Sequence, residues 1–489
     1  LDHLLHELHA GWQESGEAQP LTVRCKSRFN RSPPSDYDID SVRKKLATGI
    51  ASSGLISVAS GQVKRRLQDC ASGSGTGDRE GRALEALILR SANIVLATTN
   101  SESLATLLDE HAQFDWAIIE EAAKATGSEL LSPMMLSHRR LLIGDHKQLP
   151  PFGTREVDRL LGDPSRLKEI VVSLPSILDR SVAHLLDDEI EVRLGDSVEE
   201  TEKICGQAAQ AFSLFKSILL DELDRQSAGR LGRKTGGALT EQHRMHPAIC
   251  EVVSKCFYDN KLVTSGQREG SAKRNESWIG TKDPSKLPSA PIVSLNMPYE
   301  RTEIGAGRFE HEPRFTNPSE CQVVLEAIAN LSVQEHRPVL PSLVVLTPYL
   351  EQVRLIRREI NDSENAKQSL TQFRSVLPDG GWVATVDSFQ GNEADVVIFS
   401  LGRNNRAATI RRALGFIADE RRFNVLLSRA RERLVFVGSR EFLKTISAPL
   451  GLESGQDAAF LRTFLEVTGK LGNSGQHRVR DVRIKDIKA

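Results

Sequence analysis

The chain has no CxxC pair: its six cysteines, Cys25, Cys70, Cys205, Cys250, Cys256 and Cys321, stand singly. That spacing argues against a zinc site and a disulfide framework, and for a reducing compartment, so a cytoplasmic or nuclear protein is expected. No apolar run approaches the length of a membrane span and no signal peptide is visible, so no membrane partner is expected. There is no excess of either charge: 64 basic and 65 acidic residues give a formal net charge of -1. A global basic field is therefore excluded, and any polyanion site must be a local groove. What is present, 39% hydrophobic and 26% charged residues over 489 positions, is the composition of a soluble globular protein. Its length suffices for two or three domains.

The first residue is not Met, and Leu1, Leu4, Leu5 and Leu8 recur at helical spacing. An amphipathic helix over 1–13 is expected, and the chain reads as a fragment. Leu21–Cys25 reads as a short strand. Residues 29–91 are polar and interrupted, with helical patches at Val42–Leu46 and Leu84–Leu89, an inserted subdomain. The cluster Gly73-Ser-Gly-Thr-Gly77 follows no strand and lacks a Gly-Lys-Ser/Thr ending, so it reads as a linker rather than a phosphate loop.

The centre of the pattern is residues 114–151. Trp116–Ile119 and Leu141–Ile143 have the length of buried strands of a parallel sheet. Each ends in acid, Glu120-Glu121 and Gly144-Asp145. Ligands of open parallel sheets sit at the carboxyl ends of strands, so both acidic tips face one crevice. Paired carboxylates there suit a nucleotide site, one holding a metal ion and one orienting water. An ordinary acidic first helical turn is the competing reading. Ala92–Ala97 is a third such strand, with Thr98 at its tip. Residues 154–235 are mostly helical in pattern.

Further on, Glu241-Gln-His-Arg-Met-His-Pro247 is densely polar, with Pro247 suited to open a helix carrying Ile249, Val252, Val253 and Cys256. Strands are expected at Leu343–Leu346 and Asp395–Ser400, separated by a basic helix Gln352–Ile360. Arg421–Arg431 is expected as a helix leading to a strand Leu434–Val437. Five arginines fall within Arg421–Arg433. Arginine suits charge stabilisation on a transferring phosphoryl group, although a solvated helix face accounts for such runs as well. Strands alternating with helices give an α/β class with mainly parallel sheets.

Taken in order, these segments resemble the helicase motifs of superfamily 1, specifically the up-frameshift-like group. Ile118–Ala122 resembles motif II, Gly144–Pro151 motif III, Glu241–Pro247 motif IV, and Leu346–Tyr349 the motif that follows it. Val383–Glu393 resembles motif V and Arg421–Arg431 motif VI. The resemblance covers about 92–152 and 213–440. It implies two RecA-like domains, the first incomplete at its N-terminus. The first spans 1–238, with insertions at about 29–91 and 154–212. The second spans 239–447, with a loop-rich excursion at about 265–318, and a C-terminal helix and basic tail occupy 448–489.

The resemblance also implies ATP and Mg2+ as cofactors and single-stranded RNA or DNA as partner. A monomer, with protein partners through the insertions, is expected. By position Glu120 would hold the metal and Glu121 would be the base. Gln148 would sense the γ-phosphate, and Arg244 and Arg429 would act as arginine fingers. Asp145, Gly391 and Glu393 fall on the nucleotide side. Thr98, Thr347 and Thr385 would grip the nucleic-acid backbone. ATP would close a cleft between the domains and hydrolysis would open it, moving the grips along one strand, 5′ to 3′. Two departures stand out. Glu120 replaces the commoner Asp, and no Gly-x-x-x-x-Gly-Lys-Ser/Thr occurs in the chain. By motif order that loop belongs upstream of Leu1, so weak ATP binding by this chain alone is expected. The alternative is a non-catalytic, helicase-like scaffold that binds nucleic acid or protein.

Overall fold

The computed structural model describes residues 20–25, 35–52, 79–109, 111–177, 198–230, 232–275, 278–299, 310, 315–334, 339–407, 409–448, 458–473 and 478–484, with 61, 65, 68, 69 and 72. The expected helix 1–13 and linker 73–77 lie outside these. The chain divides into two compact units, one of residues 1–146 and 150–235, the other of 147–149 and 236–489.

In the first unit, β1 (Thr22–Arg24) runs parallel to β2 (Ile94–Leu96), and β3 (Ala117–Ile119) parallel to β4 (Arg140–Leu142). Helices Ile39–Ser52, Arg79–Ser91 and Glu102–Asp109 place Val42, Ile88, Leu89, Leu104 and Leu107 in one apolar cluster with Val23 of β1. Arg24 is buried there and paired with Asp38 at 2.6 Å, as burial of a guanidinium requires. A second cluster joins Ile119, Ala122, Leu130 and Phe215. Expectation and structure differ over β3 and β4: both are strands, and parallel, but Trp116, Ile118 and Leu141 are exposed and only Ile119 is fully buried. Among the described residues the pair is a two-stranded ladder, so one of its faces meets solvent. Within the stretch 154–235, expected to be mostly helical, Val198–Phe212 and Leu214–Ser227 are two helices broken at Ser213.

The second unit is built on a seven-stranded sheet. Further strands are β5 (Glu241–Gln242), β6 (Val263–Thr264), β7 (Ile279–Thr281), β8 (Ile292–Asn296), β9 (Leu331–Val333), β10 (Ser342–Thr347), β11 (Arg374–Ser375), β12 (Val383–Thr385), β13 (Ala394–Ser400), β14 (Ala430–Gly438) and β15 (Val479–Arg483). The order is β11-β10-β13-β14-β8-β15, with β12 also on β10, and every pairing is parallel. All seven residues of β13 are buried. Val397 and Phe399 enter one cluster with Ile249, Phe423 and Phe464, whereas Val396 and Ile398 enter another with Val324, Ile328 and Ile356. That is the two-residue side-chain period of a strand covered by helices on both faces, and it explains a continuous apolar run. The C-terminal helix Ala459–Asn473 joins the first of these clusters through Phe460, Leu461 and Phe464. β15 forms the edge.

Around motif VI the structure corrects the expected helix. It runs Glu420–Leu427, ends at Ser428, and the strand β14 begins at Ala430. Asp419 caps its start by accepting from the Arg421 N–H at 3.1 Å. Arg429, Arg431 and Arg433 therefore belong to a turn and a strand start, not to a solvated helix face, and Arg429 is 2% exposed.

Candidate functional site

In the first unit the parallel register sets the acidic tips side by side. Ala117 pairs with Arg140 and Ile119 with Leu142, so both strands end at the same edge. The ladder continues beyond them, Ile143 N donating to Ile119 O and Ala122 N to Ile143 O at 2.9 and 2.8 Å. Glu120 and Glu121 are exposed, and Asp145 is half-buried. Glu121 holds a left-handed backbone, φ 55° and ψ 32°, a conformation that costs a non-glycine residue about 1–3 kcal/mol. Its carboxylate lies 3.8 Å from the Lys124 ammonium. Gly144 permits the close approach of the two turns, since a Cβ there would stand 2.7 Å from the Ala123 nitrogen.

Beyond these turns Thr126 and Glu129 form a capping box at the helix Gly127–Met135. Asn100, two residues after the exposed Thr98, donates to Glu129 Oε1 at 2.7 Å, so the β2 tip is tied to the same region.

Exposed carboxylates at a strand tip fit Mg2+, a hard cation commonly held by one or two carboxylates together with substrate phosphates. The described residues contain no cluster of three or more metal-ligating side chains.

In the second unit Arg429, Gln148, Arg244 and Glu393 gather at the N-terminal edge of β13 and β14. The Arg429 guanidinium donates to Val425 O at 2.9 Å, Asn392 O at 3.3 Å and Gln148 Oε1 at 3.0 Å. Gln148 is 281 positions away in sequence, and residues 147–149 pack with this unit. Asn424, fully buried, donates to Lys147 O at 2.9 Å and so holds the same segment. Glu393 accepts from Arg244 and lies 3.4 Å from Arg431, which in turn lies 3.7 Å from Asp395. Gly391, at φ 83°, lets the turn before Glu393 close.

The loop carrying Arg244 is held by groups outside the expected set. Gln242 Oε1 accepts from the backbone N–H of Arg244 and Met245 at 2.9 and 2.6 Å. Arg268, from the helix Gly266–Asn275, donates to Arg244 O at 2.8 Å and Arg431 O at 2.7 Å. It also pairs with buried Glu432 at 3.0 Å. His246 caps the next helix, its Nδ1 accepting from Ala248 N at 3.1 Å, and its own N–H donates to Arg431 O at 2.6 Å. Pro247 opens that helix, as expected.

The two threonines of this unit lie at the opposite, C-terminal edge of the sheet. Thr385 is half-buried, its hydroxyl hydrogen-bonded with Ser388 Oγ at 2.9 Å. Thr347 is fully buried and its hydroxyl has no hydrogen-bond partner among the described residues, so it does not offer the surface grip expected of it. Strands β12 and β13 flank β10 and cover it.

Two family models, each described as an AAA domain, match residues 57–154 and 213–441. Regulator of nonsense transcripts 1 of Dictyostelium discoideum is 25% identical over 363 residues, 74% of this chain and 21% of its own length. DNA-binding protein SMUBP-2 of Rattus norvegicus is 25% identical over 379 residues, 73% and 29% of the two chains. DNA polymerase alpha-associated DNA helicase A of Saccharomyces cerevisiae is 25% identical over 385 residues, 75% and 45%. The chain thus spans less than half the length of these relatives. Among the described residues no helix is long and apolar enough to cross a membrane. Both models match in the order of the motifs, and together with these relatives they support an up-frameshift-like helicase core of superfamily 1 in this chain.

Proposed function

We propose that this chain is the core of an ATP-dependent helicase or translocase acting on single-stranded RNA or DNA. The observation that carries the reading is the Gln148–Arg429 hydrogen bond, 3.0 Å long, between motif residues 281 positions apart. A buried guanidinium held by two carbonyls, a side-chain amide and the Ser428 hydroxyl has its direction set before a ligand arrives. Such pre-positioned donors are what stabilisation of a transferring phosphoryl group needs. Glu121 accepts the proton of the attacking water. Glu120 would hold Mg2+, which would supply charge neutralisation on the phosphates. Arg244 and Arg429 stabilise the charge that develops on the transferred group. Gln148, tied to Arg429, orients the water, and Glu393 holds Arg244. Thr98 and Thr385 contact the strand, and travel is 5′ to 3′.

The phosphate loop that would cradle the triphosphate is absent from these 489 residues. The chain alone therefore binds ATP weakly, and turnover requires a phosphate loop that these residues do not supply. That absence is also what favours the second reading, a helicase-like scaffold without turnover. Isothermal titration of ATP·Mg2+ into the chain, with and without the preceding segment, tests the assignment. Tight binding by the chain alone contradicts the weak-binding claim. No binding by the extended protein contradicts the motor.

A further inference from the structure

We propose that a cleft of about 210 Å³ on the second unit is a nucleobase subsite, in which one base of a single strand stacks on Phe416. Pro348, Tyr349, Leu350, Thr385, Phe416 and Arg422 line it. The assignment rests on the single-strand reading above and adds to it a direct contact with a base.

Three observations select this occupant. Phe416 is 51% exposed at the cleft, the only exposed aromatic of the second unit among the described residues. An exposed phenyl ring is held there by a built scaffold. The Tyr349 ring stands 6.0 Å from Phe416 and 5.1 Å from Phe315, and the Arg403 guanidinium lies 4.4 Å from the Phe315 ring. Tyr349 donates its hydroxyl hydrogen to Leu414 O at 2.9 Å. Gly415, at φ 54°, passes so near that a Cβ would sit 2.6 Å from that hydroxyl, so the turn presenting Phe416 requires glycine.

The rim chemistry is the second observation. The Arg422 guanidinium lies 5.2 Å from the Phe416 ring and pairs with Asp387 at 3.1 Å. With the Thr385 hydroxyl, the rim offers donors and acceptors to the edge of a base whose face lies on phenyl. Stacking of this kind tolerates any base, since each has a π-face. The third observation is size and place. The cleft falls below the roughly 300–1,000 Å³ of sites for drug-sized ligands, so it fits one flat ring system rather than a folded partner. It lies at the C-terminal edge of the sheet, beside Thr385. The arginine cluster lies at the N-terminal edge, so the base of a nucleotide bound by those arginines does not reach it.

The test uses the full chain and two labelled single strands of about 12 nucleotides, one bearing bases and one abasic, with equal backbone charge. Fluorescence anisotropy gives the affinities. Phe416→Ala is expected to weaken binding of the base-bearing strand by about tenfold and to leave the abasic strand unchanged, while Phe416→Trp retains the wild-type difference. Circular dichroism confirms that both variants are folded. Equal loss on both strands, or no loss on either, overturns the subsite while leaving the single-strand reading standing. If the wild type binds neither strand, the single-strand reading falls and the subsite with it.

Discussion

Replacing Arg268 by alanine is expected to destabilise the second unit far more than its place in a polar, loop-rich stretch suggests. The guanidinium is 6% exposed in its side chain and its partner Glu432 8%. It donates to two backbone carbonyls, of Arg244 and Arg431, and closes the ion pair with Glu432. Removing one member of a buried pair leaves an uncompensated charge and costs about 3–5 kcal/mol. Removing both charges avoids that cost, so Arg268→Met with Glu432→Leu is expected to cost less than Arg268→Ala alone. Urea unfolding followed by tryptophan fluorescence gives the midpoints and slopes. A loss below about 1 kcal/mol for Arg268→Ala, within the range of an exposed pair, would refute the reasoning. So would a double variant less stable than the single one.

Three other outcomes follow from the same structure. Burial raises the Glu320 carboxyl from 4.5 to about 8, against the lowering effect of bonds from Gly402 N–H and the Ser400 hydroxyl. The folded chain therefore keeps a proton that the unfolded chain releases. Stability is full below about 4.5 and drains away as pH rises towards about 8. Glu320→Gln should flatten melting temperature against pH across that window, and an unchanged slope would exclude Glu320 as the source. Gly144→Ala should cost about 1–3 kcal/mol by overpacking, because the new methyl meets the Ala123 nitrogen at 2.7 Å and the Phe215 ring at 3.1 Å; a neutral effect on unfolding would show that the two turns separate freely. Glu393→Gln weakens the tie to Arg244 at a half-exposed site, so it should change stability by under about 1 kcal/mol yet lower strand-stimulated turnover. Loss of fold in that variant would assign Glu393 a structural role instead.

Much of the second unit was legible because its chemistry is local. The apolar runs Leu343–Leu346 and Asp395–Ser400 became strands because helices cover both faces of the sheet. Pro247 marked a helix start by its fixed φ. Motif VI was misread as one long helix, because helical spacing of Phe423, Leu426 and Leu427 continues by chance to Ala430. The chain turns at Ser428 instead, and this turn buries Arg429. Arg268 carried no sequence signal at all: a single arginine in a polar stretch looks solvated, and its role depends on carbonyls from positions 244 and 431. Gln242 and Asn424 did lie inside the motifs, and a polar residue amid the apolar face of Phe423–Leu427 could have marked Asn424. In the first unit the strands β3 and β4 were readable, but their one-sided exposure was not, since periodicity over three residues cannot tell one buried face from two.

The central claim is tested most directly by ATP turnover of the protein carrying its phosphate-loop segment, with and without single-stranded RNA or DNA, beside Glu121→Gln and Arg429→Ala. The account predicts turnover stimulated by a single strand and lost in both variants, Glu121→Gln for want of a base and Arg429→Ala for want of charge stabilisation. Absence of turnover in the folded protein, or turnover indifferent to both substitutions, would contradict it.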